Sequence, residues 1–127
     1  MAGDGMAMLA ATVERLFGER VDKERIVAAE NGEWLAGLWS VVEENGLARP
    51  HELGDGGSAW AEAFVIARAS GRHCVPLPIG ETILASWLLQ QAGIEVPAGP
   101  LTVIAGAAGA DRVPWARRCS HAAVVLP

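Results

Sequence analysis

The sequence predicts a mainly α protein, in which an N-terminal helical bundle of about four to five helices precedes the first strands of a β domain. Apolar residues recur at helical spacing as far as Gln91, whereas after Pro97 and Pro100 they form the short runs typical of strands. Hydrophobic residues make up 51% of the chain and charged residues 20%, a composition that supports a packed core. Helices followed by strands are typical of an α domain joined to a β domain. We therefore predict a helical domain at residues 1–97 and the beginning of an incomplete β domain at residues 98–127.

The first helical stretches are bounded by residues with strong capping preferences. Asp4 is predicted to cap the first helix, which ends at Gly18, and Asp22 is predicted to cap the second. Asn31-Gly32 is a weak point within the second stretch, and Asn45-Gly46 is predicted to end it. The apolar residues expected to face the core recur at helical spacing. They are Leu9, Val13, Leu16, Phe17, Ile26, Ala29, Trp34, Leu35, Leu38, Trp39 and Val42.

Two further helices are predicted after a loop at residues 48–57. Ser58 is predicted to cap the third helix, which ends at Gly71, and the proline-rich segment 75–78 then keeps the chain extended. The fourth helix is predicted at residues 80–91. The side chains expected to point inward are Trp60, Phe64 and Ala67 in the third helix, and Ile83, Leu84, Trp87 and Leu88 in the fourth.

Short strands are predicted in the last part of the chain, at residues 101–105 and 121–126. Residues 112–115 are predicted to form an edge-like segment, because Pro114 cannot donate a hydrogen bond to a neighbouring strand. So small a sheet is seldom stable by itself. We therefore expect further strands, from the same polypeptide or from a partner, to cover its edges.

Composition argues against several classes of function. The formal net charge is −5 and the only adjacent basic pair is Arg117-Arg118, so the chain lacks the basic face that nucleic-acid binding requires. The longest nearly uncharged apolar stretch, at residues 83–89, is too short to cross a membrane. The N-terminal residues lack the basic segment of a secretory signal, and two cysteines do not make a disulfide framework. A cytoplasmic protein that binds neither nucleic acid nor membrane is therefore expected.

Five stretches of the sequence form a pattern when they are taken in order. They are Leu38-Trp39-Ser40-Val41-Val42-Glu43-Glu44-Asn45-Gly46-Leu47, Glu52-Leu53-Gly54-Asp55-Gly56-Gly57, residues 64–72 with Val75-Pro76-Leu77-Pro78, Glu81-Thr82-Ile83-Leu84-Ala85, and Asp111-Arg112-Val113-Pro114-Trp115-Ala116-Arg117, which leads to a strand containing Ala-Val-Val-Leu. This pattern resembles the acyl-CoA dehydrogenase family, including a branch with bacterial degradative members. The resemblance covers nearly the whole chain but only the front part of a family member.

The resemblance implies that the strands begin a β-barrel domain, and it implies the family's activity. That activity is the α,β-dehydrogenation of an acyl-CoA thioester, in which a carboxylate base removes a proton and FAD accepts a hydride. The family's base lies in a later domain, and its Thr-Glu-Pro flavin-binding motif has no counterpart in this sequence. We therefore assign no catalytic residue, and the residues that would contact FAD are unknown.

The resemblance also implies a role for the front helices. In the family such helices help to wall the acyl pocket and pack on the rest of a homo- or hetero-oligomer. By itself this chain is expected to be inactive. The alternative is a non-catalytic helical subunit or binding module that docks on a larger flavoprotein.

Glu81, Thr82 and the loop Gly54-Asp55-Gly56-Gly57 each have a functional and a structural interpretation. Glu81 or Thr82 could lie near the acyl thioester, although a carboxylate in the first turn is also a common way to stabilise a helix start. The glycine-rich loop could bind phosphate through its backbone amides. However, no strand precedes it, so a plain turn is the better interpretation. For both features the structural interpretation is the one we predict.

The remaining candidates are a tryptophan and two pairs of possible metal ligands. Trp115 is the best candidate for an interface or cofactor-edge residue, because it follows a proline and has arginines nearby. His73-Cys74 and Cys119-x-His121 supply four possible zinc ligands, but their spacing is wrong for a zinc finger or ribbon. No metal site is therefore predicted, and both cysteines are expected to be small buried side chains.

Overall fold

The computed structural model describes residues 2–50, 56–106 and 113–126. Within these ranges the chain forms five α-helices followed by a small parallel sheet. The elements are α1 (Ala2–Arg20), α2 (Lys23–Glu30), α3 (Ala36–Glu44), α4 (Gly56–Arg72), α5 (Ile79–Gln91), β1 (Leu101–Ala105) and β2 (His121–Val125). The prediction of a mainly α protein with helices before strands is confirmed. In the described part of the chain, no helix has the length and apolar character that crossing a membrane requires.

The chain divides into two compact units between Leu77 and Pro78. The first unit contains α1 to α4, and the second contains α5 and both strands. This division differs from the predicted boundary at residue 97, because α5 packs on β1 and β2 and so belongs with the sheet. That residues 98–127 begin a larger β domain stays a prediction.

The first helix is longer than predicted at both ends. α1 already begins at Ala2 and continues through Gly18 to Arg20. The prediction that Asp4 caps the helix is therefore wrong, and Asp4 lies in the first turn, where a carboxylate still favours the positive helix end. A single glycine costs a helix only about 1 kcal/mol relative to alanine, so Gly18 does not end α1.

The predicted second helix is two helices. Asp22 caps α2 as predicted, since its Oδ1 accepts a hydrogen bond of 2.9 Å from the backbone N–H of Arg25. The chain then turns at Asn31-Gly32, where Gly32 has a φ of +95°, a backbone conformation that glycine adopts without strain. The weak point in the sequence is thus a complete break. α3 ends just before Asn45-Gly46, as predicted.

The buried face of α4 is not the predicted one. Trp60 is 47% exposed and Phe64 is 67% exposed, and Ala67 is exposed as well. The buried side chains of α4 are mostly small, namely Ala59, Ala63, Ile66 and Ala69. α4 packs on α1, and short side chains let two helices approach closely. The helix also begins at Gly56, so the prediction that Ser58 caps it is wrong.

The predicted position of α5 is confirmed, but the inward side chains are only partly those predicted. Ile83 is buried, whereas Leu84 is exposed and Trp87 and Leu88 are half-buried. The buried residues are Ile79, Thr82, Ile83, Ala85 and Ser86, a set that includes small and polar side chains. Close packing on the sheet therefore decides which face of α5 is buried.

The two strands pair in parallel, from Leu101 opposite His121 to Ala105 opposite Val125. β1 has the predicted bounds, and β2 ends one residue earlier than predicted. One core cluster of this unit consists of Ala85, Leu101 and Ala123, with Leu89, Val96 and Val103 packed around them. One face of the sheet therefore packs on α5.

Candidate functional site

A carboxylate–imidazole pair joins α1 to the end of α4. Nε2 of His73, the residue that follows α4, lies 2.6 Å from Oε2 of Glu14. The His73 ring also lies 6.5 Å from the ring of Phe17, which is fully buried, with the two planes tilted by 58°. Glu14 and Phe17 are three residues apart on α1, so one face of that helix presents both side chains to His73.

Two arginines of α4 lie near the same carboxylate. Nη1 of Arg72 is 3.7 Å from Oε1 of Glu14. The hydrogen bond from His73 holds the pKa of Glu14 below its ordinary value of 4.5, and the charges of Arg72 and Arg68 act in the same direction, against the opposing effect of desolvation. A carboxylate with a lowered pKa is a weak base at neutral pH. This arrangement is therefore better suited to holding α1 against α4 than to removing a proton from a substrate.

A groove of about 220 Å³ lies between α1 and α4 beside this pair. Small apolar side chains from both helices line it, together with Glu14, Phe64, Arg68 and Arg72. Pockets for small-molecule ligands usually have volumes of about 300–1,000 Å³. The groove can therefore receive a side chain or a few water molecules, but it is too small for a cofactor.

Because of the Glu14–His73 contact, we predict that the folded protein loses stability at acid pH. Because the pKa of Glu14 is lowered from 4.5 in the folded protein, ionised Glu14 stabilises the fold above pH 4.5, and this contribution is lost as pH falls through the lowered pKa. Glu14→Gln should therefore lower the urea midpoint near neutral pH and flatten its decline in acid. Glu19→Gln, at an exposed position on the same helix, is the control. Identical acid profiles for Glu14→Gln and the unchanged protein would contradict this role.

A larger cavity of about 450 Å³ opens at the start of α3. Arg20, Arg25, Glu33 and Trp34 contribute to its lining. Its volume suits a small molecule, and two guanidinium groups would favour an anion. However, Nη1 of Arg25 is already 2.7 Å from Oδ2 of Asp22, and Glu33 adds a negative charge. With Asp22 paired to Arg25, the charges at and beside the cavity are nearly balanced and do not favour one class of ligand.

Thr82 is fully buried in the second unit, where its hydroxyl ties α5 to β1. Oγ1 donates a hydrogen bond of 2.6 Å to the carbonyl oxygen of Pro78 and accepts one of 3.0 Å from the backbone N–H of Leu101. The Thr82 hydroxyl is thus already hydrogen-bonded to the backbone, whereas the functional interpretation placed it near an acyl thioester. Glu81 lies in the first turn of α5 and is partly exposed. Both observations favour the structural interpretation of this helix start.

The histidines and cysteines considered as possible zinc ligands lie in surroundings that do not suggest a metal site. His73 contacts Glu14, and Cys74 is exposed, so the expectation that Cys74 is buried is wrong. Cys119 is partly buried, and this burial, together with the charge of Glu81, raises the pKa of its thiol to about 11. A thiol with so high a pKa is a poor nucleophile at neutral pH. Among the described residues, no three His, Cys, Asp or Glu side chains come together as a metal site requires.

Trp115 lies in a turn between the two strands and has a positive φ of 63°. Its carbonyl oxygen accepts a hydrogen bond of 2.9 Å from the backbone N–H of Arg118. The Thr102 hydroxyl donates to the carbonyl oxygen of Pro114 at 2.8 Å and fixes this turn to β1. Residues 113–115 therefore form a turn and not an edge strand, while Arg112 lies outside the described residues. A role for Trp115 at an interface or a cofactor edge stays a prediction.

Most of the predicted glycine-rich loop also lies outside the described residues. Gly54 and Asp55 belong to that part, whereas Gly56 and Gly57 form the start of α4. The Glu14–His73 contact was not predictable from the sequence, because nothing in the local pattern links two residues so far apart in the chain. Comparison of the chain with protein-family models, curated proteins and solved structures gave no match.

Proposed function

We propose that this chain is the N-terminal part of a cytoplasmic, FAD-dependent protein of the acyl-CoA dehydrogenase type, which dehydrogenates an acyl-CoA thioester. The ordered set of stretches that resemble the family carries the proposal. The positions of these stretches on the helices support it. α3 ends just before Asn45-Gly46, α4 ends at Arg72 just before the proline-rich segment, and Glu81-Thr82 lies in the first turn of α5. Helices that precede strands also suit a helical domain leading into a β-barrel domain.

In this proposal the helices wall the acyl pocket and pack on other parts of a homo- or hetero-oligomer. Exposed apolar side chains support such packing, since Phe64 on α4 is 67% exposed and Val124 on β2 is 54% exposed. FAD, when bound, would accept the hydride. Two cavities in the described part of the chain, of about 220 and 450 Å³, are small for a flavin dinucleotide. We therefore assign FAD binding and the catalytic base to other parts of the complete protein.

The test uses the complete gene product, purified and examined by visible absorbance. We expect a yellow protein with stoichiometric flavin, because the family's chemistry requires a tightly held acceptor. Straight-chain, branched and ring-bearing acyl-CoA thioesters would then be added without oxygen, and at least one should bleach the flavin absorbance. A product that contains no flavin, and that causes no thioester-dependent bleaching with any flavoprotein, would refute the proposal.

A non-catalytic helical subunit that docks on a larger flavoprotein is the second candidate. The sequence favours it in one respect, because the Thr-Glu-Pro flavin-binding motif has no counterpart in the chain. In this case flavin and bleaching should appear only after the chain is combined with a flavoprotein subunit. A chain that leaves the size-exclusion elution of every such subunit unchanged would exclude this candidate.

A further inference from the structure

The exposed face of α4 carries a row of large side chains at four-residue spacing. The row consists of Trp60, Phe64, Arg68 and Arg72. All four are exposed, and the side chain of Arg72 retains 68% of its accessible surface although it lies near Glu14. Residues spaced by four form one of the ridges along which helices pack. This row, which we call the α4 ridge, is exposed and lies apart from the buried positions of α4, which are Ala59, Ala63, Ile66 and Ala69, and three of its four members also border the groove between α1 and α4.

The composition of the α4 ridge is typical of a protein interface and not of a solvated helix face. Tryptophan and arginine are the residue types most enriched among the residues that dominate binding energy, and aromatic residues are enriched in interface cores. The other exposed positions of this face in the described part of α4 are small, so a second helix can reach the ridge. They are Ala61, Ala67 and Gly71.

The order of residues along the ridge makes it complementary to itself. Both aromatic residues lie in the first half and both arginines lie in the second half. If a two-fold axis passes midway between Phe64 and Arg68, the ridge of a second copy runs in the opposite direction. Phe64 then lies beside the partner's Arg68, and Trp60 lies beside the partner's Arg72. A guanidinium group stacked on an aromatic ring is an attractive arrangement, and the symmetry forms each contact twice.

From this complementarity we infer that the α4 ridge is the contact surface of a symmetric dimer, whose occupant is a second copy of this chain. Two such ridges lie side by side when the helix axes cross at about −50°. Trp60 and Arg72, the ends of the ridge, are twelve positions apart, which is a rise of about 18 Å along the helix. The contact is therefore at the small end of the range for specific interfaces. The dimer is therefore reversible, and its fraction rises with protein concentration. This inference does not depend on the proposed dehydrogenase function.

Sedimentation equilibrium over a series of concentrations tests the dimer, with four proteins compared. The unchanged protein should show a monomer–dimer equilibrium. Phe64→Lys places a cation beside the partner's Arg68 and should raise the dissociation constant about tenfold or more. Phe64→Glu should leave it within about tenfold, because the new carboxylate can pair with the same guanidinium. Adding Arg68→Glu to Phe64→Lys should restore dimerisation, because opposite charges then face each other across the two-fold axis.

This design separates a specific ridge from general hydrophobic association. Val27→Lys, which changes an exposed apolar residue on α2, is the control and should leave the dissociation constant unchanged. Far-UV circular dichroism checks that each variant is folded. A protein that is monomeric at every concentration overturns the inference, and so does binding of this face by a different protein alone. Equal effects of Phe64→Lys and Phe64→Glu on the dissociation constant would also overturn it, since the predicted register requires a larger loss of dimer for lysine than for glutamate.

Discussion

Trp39→Ala is expected to lower the free energy of unfolding of the first unit by about 3–5 kcal/mol. Trp39 lies on α3, is 5% exposed, and has its ring 6.0 Å from that of Trp34. The substitution removes a large buried apolar surface and leaves a cavity that the neighbouring side chains fill only in part. Urea denaturation followed by far-UV circular dichroism measures the effect, because this signal does not depend on the deleted indole.

Trp39→Phe separates the effect of packing from the effect of the buried indole N–H. Nε1 of Trp39 is buried without a hydrogen-bond partner among the described residues. Phenylalanine keeps most of the ring and removes this costly donor, so its expected loss of stability is smaller than that of alanine. Met8→Ala, at an exposed position on α1, should leave the urea midpoint nearly unchanged. If Trp39→Ala lowers the urea midpoint no more than Met8→Ala does, Trp39 is not buried in the folded protein.

Helix ends were predictable where the chemistry of one or two residues decides them. Asp22 caps α2 because its short carboxylate reaches a free backbone N–H three residues later. Gly46 follows α3 with a φ of +67°, a conformation that ends a helix at little cost for glycine alone. Asp4 and Gly18 are the failures, and both lie in α1, where Phe17 beside Gly18 is fully buried whereas Asp4 and its neighbours are exposed. Packing around Phe17 therefore outweighed the local signal of Gly18, and the structure gives no such reason for Asp4.

Helix faces and long-range pairs were not predictable from spacing. On α4, the positions of Trp60 and Phe64 have the same helical periodicity as those of the buried Ala59 and Ala63. The close packing of α4 on α1 decides that the small side chains are buried. The large side chains of α4 are therefore left exposed. The Glu14–His73 contact depends on the same packing of α4 on α1. The positions of the helices were therefore predictable from the sequence, whereas the candidate site and the exposed ridge were not.

Thr82 illustrates how a polar residue can be recognised in a sequence while its role follows from contacts in the fold. The motif Glu81-Thr82 marked a helix start, and both residues do lie at the start of α5. The hydroxyl nevertheless acts across elements, because it accepts the hydrogen bond of the Leu101 N–H at the first residue of β1. Leu101 is 1% exposed, so water cannot readily replace this acceptor. The hydroxyl thus supplies the buried end of β1 with its hydrogen-bond partner.

Thr82→Val should destabilise the second unit by about 1–3 kcal/mol, because it leaves the N–H of Leu101 buried without an acceptor. Valine has nearly the shape of threonine, so the packing of α5 on β1 changes little. Thr82→Ser is the matched control, since it keeps the hydroxyl and loses only a methyl group, worth about 0.8 kcal/mol. Amide hydrogen exchange at Leu101 should accelerate in Thr82→Val and much less in Thr82→Ser. Faster exchange in the serine variant than in the valine variant would mean that the methyl group, and not the hydrogen bond, holds α5 to the sheet.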